Sequence, residues 1–203
     1  MTGILLLNGE PPKFVAVPKN SYIICADGAY SWAHQLGVNP NMTVGDVDSL
    51  GYVPLDCETI ELDEEKNETD GEFALKIFKE KNCTEVYVYG AFGKRSDHLL
   101  GNLALLGLGY ELGIKVVLVG DDERVSLGCG NVKFRPCEKK GTISLVPYGD
   151  TAHIIDSKGL YYPLEDLVLT KNDTRGISNV ATADEVEFFV EEGQVLILES
   201  WRE

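Results

Sequence analysis

The sequence predicts two domains of different class: a mostly parallel α/β domain over residues 1–122 and an all-β domain over residues 123–203. In the first part, short apolar runs alternate with helical patterns, which is typical of a parallel sheet covered on both faces. After about residue 122 only short alternating runs remain, and they indicate a β-sandwich or a barrel. A chain of 203 residues with 44% hydrophobic and 25% charged side chains has the composition of a globular protein that buries a core.

The α/β assignment rests on apolar runs that predict buried strands, separated by helical patterns. The runs occupy residues 3–9, 22–28, 42–46, 59–62, 85–90 and 114–120. Helices are predicted up to about residue 36, over residues 99–110, and after Thr69, because threonine is a favoured N-cap residue. Behind Thr69, four apolar side chains share one helical face: Phe73, Ala74, Ile77 and Phe78.

The second part contains no helix-length periodic segment. Its alternating runs are VKFRP, TISLVPY, AHIID, DLVLT, VEFFVEE and QVLILE, separated by Gly, Pro, Asn and Asp. The last two of these runs predict a β-hairpin with Gly193 in its turn.

Charge and cysteine content restrict the partners and the compartment. A net charge of -15 argues against nucleic acid as a partner, since polyanion binding needs clustered Lys and Arg. No apolar run approaches the roughly 20 residues of a membrane helix, and the N-terminus lacks a secretory leader, so we expect a cytoplasmic protein with no membrane partner. Five cysteines without a CxxC pair predict free buried thiols and argue against disulfides and zinc.

Carboxylates follow several of the predicted strands. Asp27 follows one strand, Asp46 and Asp48 follow the next, and Asp97 follows a later strand and its loop. Ligands bind beyond the carboxyl ends of strands in open parallel sheets, so we expect these side chains at one edge, with Asp70 reaching it from a helix start. Carboxylates in one crevice repel each other, and Mg²⁺ would keep them ionised. The alternative is that each Asp serves a turn or a helix cap.

The segment GAFGKRSDHLLGN combines backbone freedom with positive charge. Gly90 and Gly93 permit tight turns beside a phosphate, while Lys94 and Arg95 supply cations and His98 a hydrogen-bond donor. An ordinary loop with a surface salt bridge and a helix cap would also explain this segment. Together with acidic metal ligands, it indicates phosphoryl or nucleotidyl transfer, without naming the acceptor.

Seven segments, in order along nearly the whole chain, resemble the thiamine pyrophosphokinase family. Each alone is unspecific, and the specificity lies in the series: NGE at 8–10, ADGA at 26–29, GDVDS at 45–49, KNETDGEFAL at 66–75, GAFGKRSDHLLGN at 90–102, GLYYPLED at 159–166 and GISN at 176–179. The resemblance implies an α/β nucleotide domain followed by a β-sandwich that binds thiamine and joins subunits. It further implies a homodimer that requires ATP and Mg²⁺ and binds thiamine where the subunits meet.

In the implied reaction, the hydroxyl of thiamine attacks the β-phosphorus of ATP and AMP leaves. The resemblance assigns Mg²⁺ to Asp46, Asp48 and Asp70, and leaves Asp46, Asp70 and Asp97 as candidates for taking the hydroxyl proton. It places these residues at the nucleotide, its phosphates or the metal: Asn8, Asp27, Lys66, Thr69, Arg95 and His98. Arg95 is also implied in catalysis, because the reaction depends on neutralising phosphate charge.

The same resemblance assigns the acceptor to the second domain. Tyr162 would stack on the pyrimidine ring of thiamine, and Ser178 and Asn179 would hydrogen-bond it. Read without the resemblance, the tyrosine is a sheet-surface residue and the Ser–Asn pair an ordinary turn. Two positions depart from the family pattern, since Ala29 and Lys94 each stand where a second glycine is common. Lys94 therefore bears on the shape of its loop and offers an additional phosphate contact.

Three alternatives remain at this point. The acceptor would be a hydroxymethylpterin if the chain were a pterin pyrophosphokinase, and water if it were a metal-dependent hydrolase of nucleoside triphosphates. A non-catalytic sensor of nucleotide or thiamine would bind without turnover. The presence of all five aspartates argues against a sensor, which has no strict need for the full set.

Overall fold

The computed structural model describes residues 1–45, 54, 56–63 and 67–201. The chain divides into two compact units, Met1–Asp121 and Asp122–Glu203. The first contains helices and strands, whereas the described part of the second contains strands and no helix. The predicted change from an α/β to a β-rich region along the chain is therefore confirmed.

Parallel strands form the sheet of the first unit. In chain order the described strands are β1 (Thr2–Leu6), β2 (Ser21–Ala26), β3 (Met42–Gly45), β4 (Glu58–Glu61), β5 (Glu85–Tyr89) and β6 (Lys115–Val119). Across the sheet the order is β6-β5-β1-β2-β3-β4, with every neighbouring pair parallel. The chain builds outwards from β1 to β4 and then returns to the other side of β1. The strand order therefore reverses between β1 and β5, where open α/β sheets bind ligands.

Three helices accompany this sheet: α1 (Ala29–Gln35), α2 (Asp70–Glu80) and α3 (Ser96–Leu112). α1 packs on β1 and β2, α2 packs on β1, β2, β3 and α3, and α3 packs on β6. The predicted helix over residues 99–110 is extended at both ends, and it stops at Gly113, whose φ of 70° is the left-handed conformation that ends many helices. Among the described residues, no helix is long and apolar enough to cross a membrane.

Alternation along β1 assigns its side chains to the two faces of the sheet. Ile4 and Leu6, both fully buried, belong to a core cluster that includes Tyr30 and Trp32 of α1. Gly3 faces the other way, where a side chain would collide with the ring of Phe78 in α2 at 2.7 Å. The helices α1 and α2 therefore cover opposite faces of β1, and its apolar run is buried on both.

The second unit is built from antiparallel strands: β7 (Glu123–Phe134), β8 (Thr142–Lys158), β9 (Leu167–Thr170), β10 (Asn179–Val180) and β11 (Val186–Ser200). Its strands pair in the order β10-β8-β11-β7, and β9 pairs with β8. Every second residue is buried over residues 143–147 and 152–154 of β8 and over residues 186–190 and 195–199 of β11. Apolar side chains from these stretches belong to one core cluster that includes Ile143, Ile154, Phe188 and Ile197.

The predicted hairpin at Gly193 is wrong. Residues on both sides of Gly193 belong to the single strand β11, which runs in one direction along β7. Val190 pairs with Gly130 and Val195 with Gly128, so five steps on β11 oppose two steps on β7. The surplus residues form a bulge, in which Gly193 has a φ of 76° and lies so close to Thr151 that a side chain would meet its carbonyl oxygen at 2.2 Å.

The prediction of free thiols is confirmed, but the prediction that all are buried is wrong. All five cysteines are free. Cys25 and Cys83 are buried, Cys57 and Cys129 are half-buried, and Cys137 is exposed. Burial raises the pKa of the Cys25 thiol, with a smaller contribution from neighbouring Cys57.

A buried ion pair joins the last strand to the start of the second unit. The Glu199 carboxylate, 5% exposed, accepts hydrogen bonds from Nε of Arg124 and, at 2.9 Å, from its terminal nitrogen. Glu199 also accepts from the backbone N–H of Cys137 at 3.2 Å. Because β7 and β11 place residues 124 and 199 directly opposite each other, this pair fixes their register.

Replacing Glu199 by alanine should lower the free energy of unfolding by about 2–3 kcal/mol, because the partly buried guanidinium of Arg124 loses its carboxylate and the N–H of Cys137 loses its acceptor. The urea midpoint monitored by circular dichroism measures this loss. The matched control is Lys171→Ala, which removes an exposed 2.7 Å pair with Asp150 and should cost less than about 0.5 kcal/mol. Equal losses in the two variants would show that burial of Glu199 is unimportant.

Candidate active site at the reversal of strand order

A cavity of about 480 Å³ lies in the first unit beyond the ends of β1 and β5. This volume is within the range of about 300–1,000 Å³ that small-molecule sites occupy. The cavity is lined from the carboxyl ends of β1, β2 and β5 and from the N-terminal ends of α2 and α3. The lining residues are Leu7, Asn8, Gly9, Ala26, Asp27, Glu68, Thr69, Asp70, Gly71, Gly90, Ala91, Gly93, Lys94, Asp97, His98, Gly101 and Asn102.

The loops after β1 and β5 are joined by backbone hydrogen bonds. The N–H of Gly9 donates to the carbonyl of Gly90 at 2.9 Å, and the N–H of Glu10 donates to that of Phe92 at 3.0 Å. A side chain on Gly9 would lie 2.0 Å from the Gly90 carbonyl oxygen. Gly90 itself has a φ of 70°, a conformation that glycine adopts at no steric cost. These glycines allow the two loops to meet and form the floor of the cavity.

Asp27 occupies an unusual backbone position at the end of β2. Its φ is 48°, in the left-handed region that few residues other than glycine adopt, and its N–H donates to Val44 at 2.9 Å. The Asp27 side chain packs directly on the backbone of Gly45, where any side chain would lie 2.0 Å from Oδ1 of Asp27. Backbone strain of this kind is held in place by its surroundings and is concentrated at functional sites.

Asp70 enters the cavity at the first residue of α2. Thr69 caps the helix reciprocally with Glu72: the Thr69 hydroxyl accepts from the Glu72 N–H at 3.3 Å, and the Glu72 carboxylate accepts from the Thr69 N–H at 2.8 Å. The helix that Thr69 was predicted to cap is therefore observed. The N-terminal end of a helix carries partial positive charge, which favours carboxylates and bound anions.

The start of α3 brings a second helix end to the same cavity. Asp97 and His98 line the wall, and Asn102 ties the helix to the loop after β5 by donating to Ala91 at 2.8 Å. Arg95 precedes the helix and forms a bidentate pair with Asp97, at 3.1 Å from Nε and 2.6 Å from the terminal nitrogen. Both side chains are exposed, so the pair is accessible to a ligand.

A second cavity, of about 630 Å³, lies in the β-rich unit. Tyr161 and Tyr162 form one side, with ring centroids 4.9 Å apart and planes at 90°, and both are more than 60% exposed. Ser178 also lines the cavity and has a φ of 60°. Exposed aromatic rings beside an apolar-lined cavity are suited to a flat ligand.

Family models match both units of the chain. Residues 16–118 match the thiamin pyrophosphokinase catalytic domain, and residues 131–195 match the vitamin B1 binding domain of thiamin pyrophosphokinase. The chain belongs to the thiamin pyrophosphokinase family. The family membership predicted from the seven segments is confirmed.

One relative matches this chain in sequence, and solved structures share its fold over 98–100% of its length. The thiamine pyrophosphokinase of Bacillus subtilis (strain 168) is 30% identical over 137 residues, covering 67% of this chain and 64% of that protein. A crystal structure of thiamine pyrophosphokinase from Bacillus subtilis superposes with a TM-score of 0.88 at 23% identity and full coverage of both chains. One from Geobacillus thermodenitrificans gives 0.84 at 22% identity, covering 98% of this chain and 97% of that one.

The first cavity of this family member gathers many of the residues singled out in the sequence. Those that line it are Asn8, Asp27, Thr69, Asp70, Asp97 and His98, and Arg95 is bound to one of them. Asp46, Asp48 and Lys66 lie outside the described residues, so their positions stay predictions.

Sequence reasoning missed two polar side chains of the wall, those of Glu68 and Asn102. Asn102 was detectable, because it lies four residues after His98 and therefore on the same helical face. Glu68 pairs with Lys76 on α2, a contact that depends on how the chain enters the helix.

In the second cavity, Tyr162 and Ser178 line the space, but Asn179 lies behind them. The Asn179 side chain accepts from the N–H of Tyr162 at 3.0 Å and donates to its carbonyl at 2.7 Å. It also accepts from the N–H of Val180 at 2.8 Å. Asn179 thereby holds the backbone that presents Tyr162, a role that spacing alone did not indicate.

The ion pair between Arg95 and Asp97 at the start of α3 predicts a measurable change in the pKa of Asp97 when Arg95 is removed. The hydrogen bond from Arg95, followed by the N–H of His98, lowers the pKa of Asp97. The contact is present at neutral pH and is lost as pH falls through this lowered pKa. In an Arg95→Ala variant, the pKa of Asp97 should rise towards its ordinary value of about 3.9, as measured by carboxyl-carbon NMR titration.

Asp173 is the internal control for this titration. Its pKa is lowered by hydrogen bonds from Thr170, far from Arg95 in sequence and in the other unit. It should titrate identically in both proteins. An unchanged Asp97 pKa in the variant would mean that the guanidinium does not hold this carboxylate in solution.

Proposed function

We propose that this chain transfers a pyrophosphoryl group from ATP to the hydroxyl of thiamine in a Mg²⁺-dependent reaction, giving thiamine diphosphate and AMP. The observation that carries the proposal is the first cavity, in which Asp27 and Asp70 lie beside the N-terminal ends of α2 and α3. Helix ends favour phosphate, and carboxylates favour its metal ion. Family membership supports thiamine as the acceptor.

The donor set of the cavity fits Mg²⁺. Mg²⁺ binds through one or two carboxylates and completes its shell with water and phosphate oxygens. Among the described residues, Asp27 and Asp70 supply two carboxylates to the lining of the cavity, and no three His, Cys, Asp or Glu side chains are grouped closely enough to hold a metal ion. We assign the metal to Asp46, Asp48 and Asp70, with Asp27 beside them. When bound, the ion would neutralise charge on the phosphate oxygens.

The protein's own residues orient the phosphates and the attacking hydroxyl. Arg95 leaves Asp97 and grips phosphate oxygens with the same two parallel donors that it now directs at the carboxylate. Release of Asp97 frees a carboxylate that, with Asp46 and Asp70, is a candidate for taking the proton of the hydroxyl. Around them, the remaining contacts to nucleotide and phosphate are assigned to Asn8, Lys66, Thr69 and His98.

We assign residues 1–122 to ATP and residues 123–203 to thiamine. The second cavity supports this division, because Tyr162 presents an exposed ring for stacking on the pyrimidine and Ser178 a hydroxyl beside it. Asn179 would contribute a hydrogen bond through its remaining amide donor and by holding Tyr162. The negative charge of the chain also suits a cationic thiazolium.

The β-rich region is proposed to be a sandwich. Its two longest strands, β8 and β11, each contain an exposed stretch between two alternating ones, which is how a strand passes from one sheet to another. We further propose a cytoplasmic homodimer with thiamine bound where the subunits meet. Light scattering coupled to size exclusion measures the mass against the 22.3 kDa of one chain.

The reaction is tested by measuring AMP and thiamine diphosphate from ATP, thiamine and Mg²⁺. Both products should appear in equal amounts, and AMP should require thiamine. Asp70→Asn should lower kcat at least about 100-fold, because it removes charge needed at the phosphates. Asp150→Asn, which alters an exposed carboxylate of the other unit, is the matched control and should retain activity.

Three results would reject this function for folded protein. Phosphate or pyrophosphate release without thiamine would indicate a hydrolase. AMP release with a hydroxymethylpterin and none with thiamine would indicate a different acceptor. Tight nucleotide binding with no turnover over a range of metal ions would indicate a sensor.

The thiamine site is tested separately at Tyr162. Tyr162→Ala should raise KM for thiamine roughly 10-fold through loss of stacking and apolar contact, with KM for ATP unchanged. Tyr110→Ala removes another exposed ring, on α3, that does not line either cavity, and should leave both constants unchanged. A larger effect on ATP than on thiamine would contradict the assignment of Tyr162.

A further inference from the structure

Lys94 has a backbone conformation that glycine adopts freely and lysine rarely does. Its φ is 53°, directly after Gly93 with a φ of 74°. The loop thus keeps a glycine-like shape at position 94 even though a long side chain is attached there. A non-glycine residue held in this region indicates that its surroundings or its function require it.

Hydrogen bonds to two uncharged oxygens of Asn8 hold the side chain of Lys94 in place. Its Nζ donates to the backbone carbonyl of Asn8 at 2.8 Å and lies 3.3 Å from the Asn8 side-chain oxygen. Both residues line the first cavity. An ammonium has three N–H donors, so these two bonds orient it without using all of them.

Lys94 differs from two neighbouring cations in having no carboxylate partner among the described residues. Arg95 is paired with Asp97, and Lys76 is paired with Glu68. Over the described ranges, Lys94 has no carboxylate within ion-pair distance, although Asp27, Glu68, Asp70 and Asp97 line the same space. Its positive charge is therefore oriented by Asn8 and is not neutralised by direct contact with a carboxylate of the described ranges, which leaves it suited to bind an anion.

We propose that Lys94 is a phosphate-binding residue of this chain, with its ammonium held by Asn8 and contacting the polyphosphate of the nucleotide. This inference rests on the proposed function and adds a contact that a glycine at this position would not provide. Lysine acts here as a compact point charge, whereas the neighbouring Arg95 offers a planar fork. The two residues therefore bind different oxygens of the same group.

The test measures binding without turnover. Calorimetric titration with tripolyphosphate and Mg²⁺ compares wild type with Lys94→Met and Lys94→Gly. Both variants should bind roughly 10- to 100-fold more weakly, the range expected for one charge-assisted hydrogen bond. Lys171→Met removes an equal charge on the exposed surface of the other unit and should bind within about twofold of wild type.

Thermal unfolding separates phosphate binding from a structural role. Lys94→Gly suits the backbone, so its Tm without ligand should equal or exceed that of wild type, while its rise with tripolyphosphate should shrink. A fall in the ligand-free Tm with an unchanged ligand-induced rise would mean that Lys94 only latches Asn8, and would overturn the inference.

Failure of this inference is distinguishable from failure of the proposed function. Wild-type affinity for tripolyphosphate in both Lys94 variants, with thiamine-dependent AMP release intact, would overturn the role of Lys94 alone. If wild-type protein binds no tripolyphosphate and releases no AMP, both proposals are overturned.

Discussion

The close approach of the loops after β1 and β5 is the constraint on which the candidate site depends. Their backbones pair through Gly9 and Gly90, at a distance that leaves no room for a side chain on Gly9. β1 and β5 are neighbours because the chain, after adding β2, β3 and β4 on one side of β1, returns to add β5 on its other side. The site is therefore a consequence of topology. The hydrogen bonds between the two loops bring Asn8 and the Gly-rich loop together, although more than 80 residues separate them in sequence.

The cavity contains both negative and positive groups, which matters because the chain is acidic and the proposed ligands are anions. Carboxylates line its walls, yet the ends of α2 and α3 and the ammonium of Lys94 supply positive potential at the same place. Arg95 is a further cation beside this cavity, and its charge is neutralised by the bidentate contact with Asp97. A net charge of -15 therefore does not prevent phosphate binding, because short-range groups dominate inside a crevice.

Local rules predicted the elements whose causes are local. Thr69 and Glu72 three residues later specify a helix start, and buried strands follow from continuous apolar runs. Placement of Asp27, Asp70 and Asp97 in one cavity followed from the general rule for parallel sheets, once the alternation of strands and helices was recognised.

The remaining features depend on tertiary contacts. In β11 the buried positions change from even-numbered, as in Phe188, to odd-numbered, as in Ile197, and this change of parity across a glycine resembles two strands joined by a turn. The strand is continuous because β7 pairs with both halves. Similarly, the hydrogen bonds that Asn179 makes to Tyr162 join two segments that lie 17 residues apart in sequence.

The reciprocal cap of α2 has a consequence for how the site responds to a ligand. The turn that carries Asp70 is fixed on both sides by the side chains of Thr69 and Glu72, so its conformational entropy has been lost already during folding. A ligand that meets this carboxylate does not have to order the turn again. Preorganisation of this kind lowers the entropic penalty of association, and makes the first turn of α2 a rigid reference point against which softer parts of the site can adjust.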